Sequence, residues 1–167
     1  MYSPRSASLP LLVAVMITWV DPCSAAWFPD PDRIVVIKHE RVLRLEYRGD
    51  VLKSYPIALG RHWKGAKREK GDGRTPEGVY LIDGRTRVTP YHLALHLSYP
   101  NAADRARAGG RALGGAIFIH GMPARFGRTD PVRFFVDWTN GCISVGNHAI
   151  EEIWDVVADG TAVEIRP

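Results

Sequence analysis

Short apolar runs that alternate with polar residues are the feature that most restricts the fold of this 167-residue chain. Leu43, Leu45 and Tyr47 alternate with charged residues, which is typical of a β-strand with one buried side. A β-branched run covers residues 34–38, and a second alternating run covers 55–59. The pattern predicts an antiparallel hairpin or meander with one face in solvent.

Further short runs predict the remaining strands, over 79–83, 91–99, 116–119 and 161–165. Asp83-Gly84 is expected to turn the chain after the first of these. Because no repeat, linker or low-complexity segment separates the runs, the chain is expected to form one mainly-β domain.

Two short helices interrupt this pattern. Asn101 is predicted to cap the first helix and Gly109 to end it. Asn147 is predicted to cap the second, over 148–158, with the carboxylates 151–152 in its first turn. The apolar side chains of this second helix are expected to form a buried stripe, namely Ile150, Ile153, Trp154 and Val157.

The first 26 residues have the organisation of a secretory signal peptide. Arg5 provides a basic start, 9–20 is an apolar core too short to span a bilayer, and 24–26 are small residues. We therefore expect a signal peptide over 1–26 and a mature domain over 27–167. An uncleaved anchor and a lipoprotein site are the alternatives.

Cleavage after Ala26 changes what the cysteines can do. It removes Cys23 and leaves Cys142 as the single cysteine of the mature chain. A lone thiol cannot form an internal disulfide in an oxidising compartment, so chemical reactivity is a reason for its presence.

His120 and Cys142 are the candidate reacting pair. Each lies where a loop meets an apolar β-branched run, and they are 22 positions apart. An imidazole can take the proton of a thiol and return it to a leaving amine, so the pair predicts acyl transfer. The N–H groups of Gly141 and Cys142 are candidate oxyanion donors. The alternative is an inert cysteine and a hydrogen-bonded histidine.

Charge gives weaker information about partners. The net charge of +4 suits an anionic polymer or envelope surface, and no nucleic-acid motif is present. Residues 60–74 are polar and basic, which predicts a mobile surface loop that acts either as a lid or guide for a carboxylate-bearing substrate or as a plain connection. His92 and His96 lack an obvious third metal ligand, so a hydrogen-bonding role is favoured over zinc.

Several segments together resemble the L,D-transpeptidase (YkuD-type) catalytic domain. They are SYPIALG at 54–60, GDGRTPEG at 71–78, LSYPN at 97–101, the His120-Gly121 pair and DWTNGCISV at 137–145. The resemblance covers roughly 33–165. It implies a β-sandwich-like fold and a cysteine enzyme without a metal or organic cofactor.

The resemblance also assigns roles to single residues. Cys142 corresponds to the family nucleophile and His120 to the general base and acid. The carbonyl of Gly121 is expected to orient the imidazole, and the N–H groups around Asn140, Gly141 and Cys142 to form the oxyanion hole.

Substrate contacts are expected from Tyr99 and Thr139. The sequence departs from the family pattern at Asn140, where a second histidine is usual, and at Ser144, where an asparagine is usual. These departures bear on the choice of acceptor and on the surface that faces the substrate, and they leave the nucleophile and the base unchanged.

The function implied by the resemblance is L,D-transpeptidation of peptidoglycan stem peptides through a thioester, in the periplasm or cell envelope. The acceptor is a second stem peptide or a lysine of an anchored lipoprotein. Two alternatives remain: an L,D-carboxypeptidase or amidase that uses water, and a wall-binding module whose thiol is incidental.

Overall fold

The computed structural model describes residues 29–87, 90–123 and 136–167. The signal peptide predicted over 1–26 lies outside these residues. Eight strands and two helices form within the described ranges. In chain order they are β1 Arg33–Ile37, β2 Val42–Tyr47, β3 Asp50–Pro56, β4 Gly78–Thr86, β5 Ala94–Leu97, α1 Ala102–Ala108, β6 Phe118–His120, β7 Ile143–Ser144, α2 Asn147–Val156 and β8 Ala162–Arg166.

The strands form a curled sheet in the order β3-β2-β1-β8-β4-β5-β6-β7. Most neighbours are antiparallel, but β1 pairs in parallel with β8 and β6 pairs in parallel with β7. The predicted mainly-β fold with two short helices is confirmed, and β1, β2 and β3 form the predicted meander.

One hydrophobic core serves the whole sheet. Leu43, which was expected on the buried side of its strand, is fully buried, and so are Leu95 and Leu97 of β5. From α2, Ile150, Ile153 and Val157 join the same core, with Trp154 packed against its edge. The predicted stripe of this helix is therefore confirmed.

Several predicted strand boundaries are wrong. The run predicted over 55–59 belongs to β3, which covers Asp50–Pro56, and the strand predicted over 116–119 is β6, which begins at Phe118. The chain does not turn at Asp83-Gly84, because β4 continues to Thr86 and absorbs the irregularity as a bulge between Ile82 and Gly84. Strand β5 covers only Ala94–Leu97, and His92 adopts a positive φ of 71° outside it. Alternation in the sequence does not show where the partner strand ends. The strand predicted over 91–99 was therefore too long.

The helix termini differ in how well the sequence predicted them. Asn101 caps α1 with a complete capping box, and Gly109 ends it in the left-handed conformation, as predicted. For α2 the cap is Gly146, without a side-chain hydrogen bond, and no acidic residue lies in the first turn. The Asn147 side chain instead accepts a hydrogen bond from the backbone N–H of Met122, at 2.7 Å.

Candidate active site

The parallel pair β6–β7 places His120 and Cys142 at one end of the sheet. Ile119 lies opposite Ile143, and His120 lies opposite Ser144. Cys142 directly precedes β7, so alternation puts it on the same side of the strand pair as His120, diagonally across from it. Ile119 and Ile143 point the other way and are fully buried. The core thus fixes the backbone that carries both side chains.

The His120 ring is buried and has a defined orientation. Its Nδ1 lies 2.7 Å from the carbonyl oxygen of Gly121. A carbonyl can only accept, so Nδ1 carries the proton and Nε2 of the neutral ring is the basic nitrogen. Burial lowers the pKa of His120, and the Gly121 hydrogen bond partly opposes this shift. The imidazole is therefore held neutral in the tautomer that a general base needs.

Two aromatic side chains pack against this imidazole. The Tyr91 ring lies 4.4 Å from it between centroids, tilted by 30°, and the Trp138 ring lies 5.8 Å away, nearly edge-on. Sequence reasoning missed the role of Tyr91, because only the pairing of β5 with β6 brings it beside His120. Trp138 lies within the motif at 137–145, but nothing in the motif shows which ring it contacts.

Gly121 allows this packing. A Cβ at this position would lie 2.6 Å from Oδ1 of Asn147 and 2.9 Å from the Tyr91 carbonyl oxygen. Both distances are shorter than real Cβ atoms tolerate, so a side chain here would displace the loop that carries Tyr91 or the start of α2. Glycine is thus required beside the histidine for steric reasons.

The Cys142 thiol is half-buried, with Sγ 3.7 Å from the carbonyl oxygen of Ala116. Burial raises the pKa of Cys142, while the backbone N–H of Phe118 and the positive charge of Lys67 lower it. Because burial is the largest of these influences, the thiol is protonated at neutral pH. It needs a base in order to act as a nucleophile.

Thr139 organises the turn that leads into Cys142. Its hydroxyl donates to the Cys142 carbonyl oxygen at 2.7 Å and accepts from the Gly141 N–H at 3.1 Å. With 4% exposure, it is a buried part of the turn. The substrate contact predicted for Thr139 therefore has little surface available.

The same hydrogen bond changes the expected oxyanion hole. The Gly141 N–H already has a partner in Thr139 Oγ1 and does not point at an empty position. Of the three predicted donors, the N–H groups of Asn140 and Cys142 remain as candidates. A motif shows that a glycine is present, but it does not show where its N–H points.

Three glycines meet where this turn packs against the basic loop, the segment Gly60–Arg74. A Cβ on Gly60 would lie 2.3 Å from the Gly73 carbonyl oxygen and 3.1 Å from Cα of Gly141. A Cβ on Gly141, whose φ is +131°, would lie 2.6 Å from the Arg74 carbonyl oxygen. Three backbone segments thus approach each other directly, which side chains would prevent.

The basic loop is more ordered than the sequence indicated. Asp72 accepts from the Lys67 ammonium at 2.7 Å and from the backbone N–H groups of Arg68, Glu69 and Arg74. Burial alone would raise the pKa of Asp72, but these hydrogen bonds lower it to about 2. A mobile surface loop was predicted; the structure shows a loop built around one partly buried carboxylate.

Asp137 anchors the start of the cysteine segment. Its carboxylate binds the Arg41 guanidinium through two nitrogens, with a shortest distance of 2.6 Å, and accepts the Leu59 N–H at 2.9 Å. Arg41 also lies over the Trp63 ring, at 4.2 Å from its centroid. Arg41 is 96 positions from Asp137, so the sequence held no local signal for this pair.

Other predicted residues take different positions. Tyr99 is 4% exposed and packs edge-on against Tyr80 in the core, so the predicted contact with substrate has almost no exposed surface. Asn140 is exposed, and its Oδ1 accepts from Arg61 at 2.5 Å. Ser144 is fully buried, with its hydroxyl 3.3 Å from Sδ of Met122, and cannot face an acceptor.

The two histidines considered for zinc bind carboxylates on different elements. His92 pairs with Glu151 at 2.7 Å, and His96 pairs with Asp83 at 2.5 Å. Within the described ranges, no three His, Cys, Asp or Glu side chains are grouped closely enough to hold a metal ion.

Comparison with known proteins identifies the family. The model of the L,D-transpeptidase catalytic domain (YkuD) matches residues 31–165. The chain is 32% identical over 134 residues to YafK of Escherichia coli K12, which is named as a provisional L,D-transpeptidase. The chain therefore belongs to the L,D-transpeptidase catalytic-domain family.

Solved structures support the same fold. The helical cell shape determining protein Pgp2 of Campylobacter jejuni superposes with a TM-score of 0.63 and 28% identity over 79% of this chain. An L,D-transpeptidase of Mycobacterium smegmatis superposes at 0.54 with 14% identity over 80% of this chain and 58% of its own, which shows the fold alone.

The relatives are longer than the part they share with this chain. The match covers 76% of this chain but 47% of YafK, and 46% of Pgp2. In the described residues, no helix has both the length and the apolar character needed to span a membrane.

Proposed function

We propose that this chain is a cysteine acyltransferase that acts on peptidoglycan stem peptides, with Cys142 as nucleophile and His120 as general base and acid. The observation that carries the proposal is that the imidazole of His120, oriented by the Gly121 carbonyl, lies on the same face of β6–β7 as the Cys142 thiol. Family membership supports the same reaction class.

The reaction begins with proton transfer. Nε2 of His120 takes the Cys142 proton as Sγ attacks the carbonyl of the third stem residue, and the C–S bond forms. The oxyanion is stabilised by backbone N–H groups, for which Asn140 and Cys142 are the candidates. The imidazolium then protonates the departing D-alanine amine as the C–N bond breaks, leaving a thioester and a neutral histidine.

An acceptor then resolves the thioester. An amine of a second stem peptide attacks the acyl carbon and His120 takes its proton. As the C–S bond breaks, the imidazolium gives that proton to Sγ, which restores the thiol and the neutral histidine. A lysine of an anchored lipoprotein is a second amine acceptor, and water is the acceptor of a carboxypeptidase or amidase. Export to the periplasm, directed by a signal peptide over 1–26 that is then cleaved, is part of the same proposal.

Water as acceptor is the second candidate function, and the site around Asn140 favours it. Asn140 stands in place of the usual second histidine, two residues before Cys142, and its exposed side chain accepts a hydrogen bond from Arg61. Ser144 gives no support, because it is buried.

Incubation of the purified mature chain with disaccharide tetrapeptides separates these possibilities. Mass spectrometry is expected to detect released D-alanine together with cross-linked dimers. Trimmed monomers without dimers would instead identify water as the acceptor. Absence of both products would contradict the enzymatic proposal.

A matched variant separates an enzyme from a wall-binding module. Cys142→Ala removes only the sulfur and should abolish D-alanine release while leaving the fold intact. If binding to intact sacculi and any cellular phenotype persist undiminished in this variant, the wall-binding alternative is favoured.

A further inference from the structure

A concave pocket lies between the basic loop and α1. This pocket has a volume of about 350 Å³. We call it the cationic pocket, and its lining residues are Ala66, Lys67, Arg68, Asp104, Arg107, Ala108, Arg111 and Leu113.

Positive charge predominates in this pocket, with four cationic side chains and one carboxylate. The Asp104 carboxylate is already shared, because it binds Arg107 at 2.5 Å and accepts the Tyr80 hydroxyl at 3.1 Å. Lys67 pairs with Asp72 at 2.7 Å. These ion pairs leave the charge of the other two cations, Arg68 and Arg111, without a matching carboxylate on the pocket wall.

Both of these arginines are exposed and held on ordered backbone. The Arg68 N–H donates to Asp72 Oδ2 at 2.7 Å, and the Arg111 N–H donates to the Ala108 carbonyl at 3.2 Å. Arg68 comes from the basic loop and Arg111 from the segment after α1, so the two arginines line the pocket from different segments. The Arg111 guanidinium also donates to the Arg107 carbonyl oxygen, at 3.4 Å. A planar guanidinium matches a carboxylate in a two-point hydrogen bond.

The pocket is close to the proposed nucleophile. Leu113 lines it, and Ala116, three residues on, places its carbonyl oxygen 3.7 Å from Cys142 Sγ. Three residues span at most about 10 Å when fully extended. The electrostatic effect of Lys67 on the thiol supports the same proximity.

We propose that the cationic pocket binds a carboxylate of the peptide that donates the acyl group, through Arg68 and Arg111. The inference rests on the proposed function, which places the reacting carbonyl at Cys142. One peptide residue spans about 3.5 Å, so a carboxylate within two or three residues of that carbonyl reaches the pocket. The carboxylate is either the terminal one or one on a side chain nearer the amino end.

The test combines Arg68→Gln with Arg111→Gln, which removes both charges and keeps polar side chains. With a tetrapeptide donor, KM is expected to rise roughly ten-fold for each charge-assisted hydrogen bond lost, while kcat changes little. Arg44→Gln, which removes one charge from β2 at the other side of the sheet, should leave KM unchanged. An unchanged KM in the double variant would overturn the inference.

Two modified donors identify the carboxylate. If the terminal carboxylate is bound, its amide should show the raised KM with the wild-type chain, and the arginine substitutions should have no further effect on it. If a side-chain carboxylate is bound instead, the donor in which that carboxylate is converted to an amide should show the raised KM with the wild-type chain. The arginine substitutions should then have no further effect on this donor. If the arginine substitutions affect both amidated donors as strongly as the unmodified donor, the inference fails.

A binding measurement separates this inference from the proposed function. Cys142→Ala, titrated with the unmodified donor and followed by calorimetry, should bind it, and adding both arginine substitutions should weaken binding by the same factor as KM. Arginine-dependent binding with no turnover by the wild-type chain would contradict only the proposed function. Turnover with arginine-independent binding would contradict only the pocket.

Discussion

The ionisation states of His120 and Cys142 determine how the proposed site responds to pH. Burial lowers the pKa of His120 below its usual 6.5 and raises the pKa of Cys142 above its usual 9.0. The neutral pair therefore predominates between these values, and the proton moves during the attack on the substrate.

The pH dependence of two rates follows from this. The value of kcat/KM should rise through a midpoint below 6.5, because the imidazole must lose its proton to act as base. Alkylation of Cys142 by iodoacetamide, followed on its own peptide by mass spectrometry, should have a midpoint above 9.0. An alkylation midpoint near neutral pH would indicate a preformed thiolate and imidazolium pair and contradict this description.

The Thr139 hydroxyl provides a second residue-scale prediction. Thr139→Val removes both hydrogen bonds of the turn before Cys142 and leaves the buried Gly141 N–H unsatisfied. We expect a loss of about 1–3 kcal/mol in the free energy of unfolding, measured with urea, and a lower kcat. Thr139→Ser keeps the hydroxyl and should retain most of the stability and most of kcat. Equal effects of the two substitutions would contradict a role for the hydroxyl.

How well the sequence predicted single residues depended on where their partners lie. His120 and Cys142 could be selected because each ends or begins a recognisable apolar run, and the resemblance added their roles. Arg41 and Tyr91 could not, because their partners Asp137 and His120 are distant in sequence and meet only in the folded chain. Long-range contacts of this kind leave no periodic signal.

At the scale of elements, the basic loop differs most from its prediction. Six of its residues are basic, which on composition alone indicates a solvated segment. The structure shows that one carboxylate, Asp72, receives four hydrogen bonds from the loop. The two acidic residues of this basic segment, Glu69 and Asp72, were the available signal for this arrangement.

Limited proteolysis tests whether Asp72 orders the basic loop. The wild-type loop should resist trypsin despite its lysines and arginines, because its backbone N–H groups are bound to Asp72. Asp72→Asn removes the charge and one good acceptor, so cleavage within 60–74 should become at least several-fold faster, as followed by mass spectrometry of the fragments. Asp50→Asn, at the first residue of β3, is the control. Equal cleavage rates in the variant and wild type would show that Asp72 does not order the loop.

For the whole molecule, β8 has the most consequential position. It lies between β1 and β4, with Val163 opposite both Ile34 and Tyr80. It therefore joins the meander β1–β3 to the strands that carry the site. The sequence predicted β8 as a strand but could not show that the last strand of the chain is central, because strand order is not encoded in local periodicity.

A proline at Val163 tests this central position. Val163→Pro removes a backbone donor within a strand that is paired on both sides, and we expect loss of the single cooperative unfolding transition in circular dichroism. Val163→Ala keeps the backbone and should lower stability by about 1–2 kcal/mol without abolishing the transition. If the proline variant folds normally, β8 does not have the structural role described.

The meeting of Gly60, Gly73 and Gly141 has a consequence for engineering. A Cβ on Gly60 would meet the Gly73 carbonyl oxygen, and a Cβ on Gly141 would meet the Arg74 carbonyl oxygen, so the loop and the turn form one steric unit drawn from distant parts of the chain. A chimera that imports the 60–74 segment from a homologue will fit only if the recipient turn at 141 also lacks a side chain. Donor segments for such grafts should therefore be chosen as co-adapted sets and not one at a time.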